Sequence, residues 1–237
     1  MVINYNFVVE CGNQQILLSQ RRFSLFGFTL LLMCLIFNPA IINGPAMAQS
    51  LSTIRVGDSA SQLETLGVSA ISKQKMGPHT AILFELPDGN YLSATYRNSD
   101  GKIVFLESDW GEKQSGSFTD FRSFKFGITS LNDIRQELGH NGMSFVNGPG
   151  TNLTAEGDLV MFNSYEVAGS AVVVTVINKI TAKRLIELSK THGEEKTDSL
   201  IGKEAKLDAV IIADNDYLSG IWGNEVTRDK GYKRIAW

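Results

Sequence analysis

Between residues 79 and 109 the chain alternates apolar runs with two strong turn signals, a pattern that predicts antiparallel strands. The signals are PDGN at residues 87–90 and NSDG at residues 98–101. In both, Asp and Asn bond back to the backbone and Gly accepts a positive φ. Strands joined by such short loops pair antiparallel. We therefore predict a three-stranded meander whose strands span residues 80–86, 91–97 and 102–109.

Two short helices are predicted from the signals at their ends. Residues 56–67 carry Ser59 as an N-cap, with Gln62 three positions later as in a capping box. Residues 126–139 carry Thr129 or Ser130 as the cap, and both segments finish on Leu-Gly, which is typical of a helix C-terminus. Two strand-like runs, residues 159–167 and 171–179, follow the second helix.

The recurrence of helix and meander predicts an α+β fold with two helix-plus-antiparallel-meander units related by an internal repeat. The first unit and a polar, Gly- and Ser-rich linker occupy residues 49–120, and the second unit with a C-terminal extension occupies residues 121–237. Helix ends of this kind also arise by chance in α+β proteins, so the repeat is a hypothesis.

The C-terminal extension contributes an additional helix and strands to the prediction. Apolar residues at helical spacing predict a helix over residues 181–191, and the charged stretch 193–204 is interpreted as an exposed loop. Further strands are predicted at residues 207–213, 217–222 and 232–237.

The N-terminal 48 residues have the features of a cleaved export signal. Arg21 and Arg22 precede an apolar run over residues 23–37, which is shorter than the roughly 20 residues that a bilayer-spanning helix needs. The small residues Ala46 and Ala48 then form an A-x-A cleavage site. We expect the mature chain to begin at Gln49, to be periplasmic or secreted, and to keep no stable membrane span.

The composition of the mature chain excludes thiol chemistry and argues against one class of partner. Both cysteines, Cys11 and Cys34, precede the cleavage site, so no disulfide or thiol site is available afterwards. Residues 49–237 carry 20 basic and 24 acidic side chains. This mildly acidic balance argues against a nucleic-acid partner, which requires a basic patch.

The order of turns and caps resembles the repeat of β-lactamase inhibitory protein and of the small outer-membrane assembly lipoproteins. The matching elements are Val56-Gly57, Leu66-Gly67, DGKIV at residues 100–104, Phe126-Gly127 and Leu138-Gly139. The resemblance covers residues 54–180 and implies a non-enzymatic module whose curved sheet binds another protein in the envelope or outside the cell. The second unit lacks the Asp-Gly-Lys turn, and the mature chain lacks a lipid-accepting cysteine.

Four side chains are candidates for partner binding: Trp110, Met143, Phe145 and Trp222. Tryptophans are enriched at binding hot spots, and Met143 and Phe145 lie in the glycine-rich connection 139–150. The alternative is that these residues pack in the core, with residues 143–146 forming a short strand.

An enzyme is the competing hypothesis, most plausibly a cell-envelope hydrolase that uses carboxylates. Glu107 and Asp109 are two positions apart on a predicted strand and therefore share one face, and Glu85 lies on a neighbouring strand. Paired carboxyl groups can perform acid–base chemistry.

No cofactor or metal is predicted. The three histidines, His79, His140 and His192, are scattered along the chain and match no zinc spacing. Residues 214–225 place acids at positions 1, 3 and 12 of a calcium loop, but Leu218 and Ser219 replace a required ligand and a required glycine. We interpret this segment as a turn between strands.

Overall fold

The computed structural model describes residues 50–237. The proposed export signal and its cleavage residues, Ala46 and Ala48, lie outside the described residues. A 3₁₀ helix covers Ala60–Leu66. In chain order the other elements are β1 (Ser50–Leu51), β2 (Ile54–Arg55), β3 (Ala70–Met76), β4 (His79–Glu85), β5 (Tyr91–Arg97), β6 (Ile103–Asp109), α1 (Leu131–Leu138), β7 (Met143–Phe145), β8 (Thr151–Leu153), β9 (Leu159–Glu166), β10 (Val172–Ile180), α2 (Ala182–His192), α3 (Glu194–Glu204), β11 (Lys206–Asp214), α4 (Asn215–Trp222) and β12 (Val226–Arg228).

A large antiparallel sheet organises the described chain and confirms the α+β class. Its strand order is β12-β7-β9-β10-β11-β6-β5-β4-β3, with β8 paired to β9 beside this path. β6 and β11 meet in the middle of the sheet, where Asp109 lies opposite Ala209 and Glu107 lies opposite Ile211. All pairings between the named strands are antiparallel.

The three predicted meander strands are confirmed as β4, β5 and β6, but the meander has a fourth strand. β3 precedes it and forms the sheet edge, and six of its seven residues are exposed. An edge strand without a buried face lacks the apolar alternation that identifies strands in a sequence. Both predicted short helices are also present, and they end at Gly67 and Gly139.

Three predictions for the C-terminal third are wrong. The charged stretch expected to be a loop is α3, whose Leu200 and Ile201 pack against a buried cluster that includes Leu131 and Met161. The predicted strand at residues 217–222 is α4, because the Asp214 carboxylate caps its first turn. The predicted strand at residues 232–237 is reduced to a single bridge between Ile235 and Val167.

The two faces of the sheet differ in their covering. Face A carries Leu106 on β6 and Val210 on β11, and its core cluster includes Ile134 of α1. Residues 121–126 contribute three buried phenylalanines to the same cluster. Face B carries the alternate residues of the same strands, among them Phe105 and Glu107. Phe105 contacts Tyr217 of α4, so this helix lies on face B.

Candidate carboxylate site on face B

Three carboxylates converge where β6 meets β11. Glu107 and Asp109 alternate onto face B of β6 and keep partial solvent exposure. Between Ile177 and Asn178 of β10, the partner on β11 changes from Ala209 to Leu207, which leaves Asp208 in a β-bulge. Because a bulge redirects its extra residue, Asp208 comes close to the two carboxylates of β6, and it is 4% exposed.

One lysine pairs with this cluster. The Lys179 Nζ, on β10, lies 3.0 Å from Asp208 Oδ1 and 2.7 Å from Glu112 Oε1. The side chains of Lys179 and Asp208 are 6% and 5% exposed, so their pair is buried. Glu112 follows β6 in the chain and reaches back over the end of the sheet to make its contact.

Burial and mutual repulsion perturb the titration of the β6 carboxyls. Burial, and then the charge of Asp208, raise the pKa of Glu107 from 4.5 to about 7. Burial, followed by the charges of Glu107 and Asp208, raises the pKa of Asp109 well above its usual value. Burial alone would lower the pKa of Lys179, but Asp208 and Glu112 more than offset this, and its pKa is raised. The site therefore combines two carboxyls that hold their protons to higher pH than usual with a buried ion pair.

Glu85 lies further along the same face. It occupies a cross-strand row with Tyr91 and Asp109, and its carboxylate pairs with Lys113 on the surface. Glu85 therefore neighbours the site but remains solvated.

Sequence reasoning identified Glu107 and Asp109 but missed Asp208 and Lys179. Asp208 lies about one hundred positions further along the chain and reaches the site only through the β6–β11 pairing and the bulge. The local signal for Lys179 was its place at the end of an apolar run, where a charged side chain is unusual unless it is paired.

The four partner-binding candidates fall in different environments. Trp110 is half-buried at the end of β6 and donates from Nε1 to the Gln114 carbonyl at 3.0 Å. Phe145 and Trp222 are 4% and 7% exposed, and their rings contact each other. Met143 is 4% exposed on the same short strand as Phe145. Only Trp110 is therefore accessible for binding without rearrangement.

The residues considered for metals have structural roles. Asp214 accepts hydrogen bonds from the Asp216 and Tyr217 amides at the start of α4. His79 packs against Tyr217, and His140 is buried against two tyrosine rings. Within residues 50–237, no group of three or more histidine, cysteine or acidic side chains is arranged to hold a metal ion.

The chain matches no protein-family model, no curated protein and no solved structure. Among the helices of residues 50–237, none combines the length and apolar character required to cross a membrane.

Proposed function

We propose that this protein is an exported, non-enzymatic protein-binding module, and that residues 110–128 carry its binding surface. The observation behind the proposal is a pair of large apolar side chains held in solvent beside Trp110. Phe118 is 61% exposed and Ile128 is 52% exposed. We call Trp110, Phe118 and Ile128 the hairpin surface.

Close backbone approaches bring these side chains together. A Cβ on Gly116 would lie 3.0 Å from Ile128 Cδ1, and a Cβ on Gly127 would lie 2.6 Å from the Trp110 ring. Phe118 forms a β-bridge with Lys125, and the Ile128 amide donates to the Lys125 carbonyl at 3.3 Å, so Phe118 and Ile128 both adjoin Lys125.

The hairpin holds its exposed residues in a defined position. The Gly116 amide donates to the Phe126 carbonyl at 2.9 Å, and the Phe126 amide donates to the Ser117 carbonyl at 3.0 Å. Phe126 is 1% exposed and anchors the hairpin in the core. Preorganised apolar surface of this kind favours association, because little conformational entropy is lost on binding.

The charge at this surface indicates the chemistry of the partner. Lys125 Nζ lies 4.7 Å from the centre of the Phe118 ring, and such a cation–π contact leaves a positive charge beside the apolar area. The complementary partner is an envelope or extracellular protein with an apolar patch bordered by carboxylates.

Site-specific photo-crosslinking tests the proposal. A benzophenone side chain is introduced at position 118, or at position 153 as a control, because Leu153 is 68% exposed on β8. We expect an adduct with another envelope protein from position 118 only, and Ile128→Ser should lower its yield about tenfold, as expected for a hot-spot residue. Equal adduct yields at the two positions, or adducts only with a second copy of the chain, would contradict the proposal.

Export is the other half of the proposal. It is supported by the arginine pair, the short apolar run and the A-x-A site within residues 1–48. Mass spectrometry of the protein from a cell fractionation should find a mature N-terminus at Gln49 outside the cytosol. A full-length chain retained in the cytosol would refute it.

An internal duplication is a further part of the proposal. Outward from the central pair, the strand order is β6-β5-β4-β3 on one side and β11-β10-β9-β7 on the other. Each set follows a short helix that ends at a glycine. This matching order supports two copies of one ancestral unit, with α2 and α3 inserted before the last strand of the second copy.

A carboxylate hydrolase is the second candidate, favoured by the pKa of Glu107 near 7 beside Asp109 and Asp208. A carboxyl that titrates near the working pH is suited to general acid–base catalysis. Hydrolysis should be measured on a panel of glycosides, esters and peptides from pH 5 to 9. Activity that Glu107→Gln abolishes would support this candidate, and identical rates for the two proteins would exclude it for that panel.

A further inference from the structure

The segment that leads from Trp110 to Phe118 crosses the end of the sheet as a strap, which we define as residues 111–117. Its consecutive residues Glu112 and Lys113 reach in opposite directions. Glu112 pairs with Lys179 on β10, whereas Lys113 pairs with Glu85 on β4. Strands β5, β6 and β11 lie between these two contacts.

The Asn90 side chain also holds the strap against the β4–β5 turn. The Gly111 amide donates to Asn90 Oδ1 at 3.1 Å, and Asn90 Nδ2 donates to Ser117 Oγ at 3.0 Å. A Cβ on Gly111 would lie 1.8 Å from the Gly89 carbonyl oxygen, so only glycine fits there. The strap is therefore docked at both ends and in the middle, and its far end continues into the hairpin surface.

The ionisable groups beneath the strap are unbalanced in sign. Asp208 on β11 and Glu112 on the strap pair with Lys179, and Glu107 and Asp109 on β6 lie beside Asp208. Lys206 on β11 lies opposite Lys179 and donates to the Lys203 carbonyl, and the row through Asp109 adds Tyr91 on β5 and the solvated Glu85–Lys113 pair. When the β6 carboxyls ionise, they add negative charge beside the buried Asp208–Lys179 pair.

We propose that the strap is a pH-responsive clasp, in which ionisation of Glu107 and Asp109 draws Lys179 away from Glu112 and releases the strap from β10. Release also frees Trp110 and the adjoining hairpin, so a rise in pH weakens partner binding. This last consequence depends on the proposed function, whereas the clasp itself does not. Protons move between the carboxyls and solvent, and no other bond is made or broken.

Hydrogen exchange on the isolated mature protein tests the clasp. Protection factors, corrected for the intrinsic rate at each pH, are measured at pH 5.5 and pH 8.5 for peptides that cover the strap. In the wild-type chain we expect strap protection to fall about tenfold at the higher pH, the factor that corresponds to a coupling of one pKa unit. Peptides from α2 and α3, which lie away from the cluster, serve as the internal reference.

Two variants separate the clasp from general loosening. Glu107→Gln removes the main titrating group near neutrality and should reduce the pH dependence of strap protection. Glu112→Gln removes the charge through which the strap holds Lys179 while sparing the buried Lys179–Asp208 pair, so it should lower protection at pH 5.5. Circular dichroism verifies that both variants are folded.

The outcomes distinguish this inference from the proposed function. Equal strap protection at both pH values in the wild-type chain overturns the clasp, whether or not a partner binds. A pH-dependent strap without any partner adduct at position 118 supports the clasp and counts against the binding proposal. An adduct whose yield falls with pH in the wild-type chain but not in Glu107→Gln supports both.

Discussion

The buried Lys179–Asp208 pair of the sheet and the exposed Lys113–Glu85 pair of the strap allow the effect of burial on charge pairing to be measured within one molecule. Lys179→Met removes the cation from a pair whose side chains are 6% and 5% exposed and leaves Asp208 buried beside other carboxyls. Breaking a buried pair from one side costs about 3–5 kcal/mol, because the remaining charge is desolvated without compensation. The matched control is Lys113→Met, whose pair with Glu85 is 57% and 44% exposed and should contribute at most about 1 kcal/mol.

Urea unfolding of the mature chain at pH 6 measures both free energies of unfolding. A loss of about 4 kcal/mol with a slope of about 2 kcal/mol per molar moves the midpoint by roughly 2 M, whereas the control should move it by no more than about 0.5 M. The double variant Lys179→Met, Asp208→Asn should recover part of the loss, because it no longer leaves the Asp208 charge unpaired. Equal midpoints for the two single variants would refute the argument that burial determines the cost.

Three further predictions concern the carboxylates, a close backbone approach and a helix cap. Because the folded pKa of Glu107 is raised from 4.5 to about 7, folded Glu107 keeps a proton that the unfolded chain releases. The free energy of unfolding should therefore decrease as the pH rises from about 4.5 to about 7, by roughly 1–2 kcal/mol after solvent screening of a partly exposed group. Denaturant titrations across this pH range should show a smaller decrease for Glu107→Gln. Gly142→Ala should lower the free energy of unfolding by at least about 2 kcal/mol in thermal unfolding, because its Cβ would lie 2.7 Å from the Ser164 carbonyl oxygen at φ +89°. The control, Gly139→Ala, has a similar φ of +80° but open space around its Cβ, and should lower it by only about 1 kcal/mol. Ser130→Ala removes the side-chain cap of α1 and should lower the free energy of unfolding by about 1 kcal/mol, and a loss below about 0.3 kcal/mol would contradict that role.

Local signals in the sequence were sufficient for the first meander and for the short helices. Turn tetrads and caps act over four or five residues, so strands β4 to β6 could be predicted directly, and the α1 cap could be narrowed to Thr129 or Ser130, of which the structure uses Ser130. The same local logic failed for α3 and α4. The apolar residues of α3 are few, and their partner Met161 is distant in sequence, while the acids that begin α4 resembled a turn.

For the same reason, only part of the candidate site could be predicted from the sequence. Spacing two apart placed Glu107 and Asp109 on one face, but only the long-range pairing of β6 with β11 brings Asp208 beside them. The binding candidates depended equally on tertiary packing. Phe145 and Trp222 pack on each other, whereas Phe118 and Ile128, which no local pattern distinguished, are exposed.

The pairing of β6 with β11 has a consequence for the order of folding. Asp109 and Ala209 are about one hundred positions apart, and contacts of such high sequence separation form slowly because a long loop must close first. Until β11 has been synthesised and has paired with β6, the first meander has an unpaired edge. The backbone hydrogen-bonding groups of β6 can then pair with other chains. A chain that crosses a membrane from its N-terminus would expose this edge throughout translocation, so we expect holdase chaperones to recognise β6 before the sheet closes.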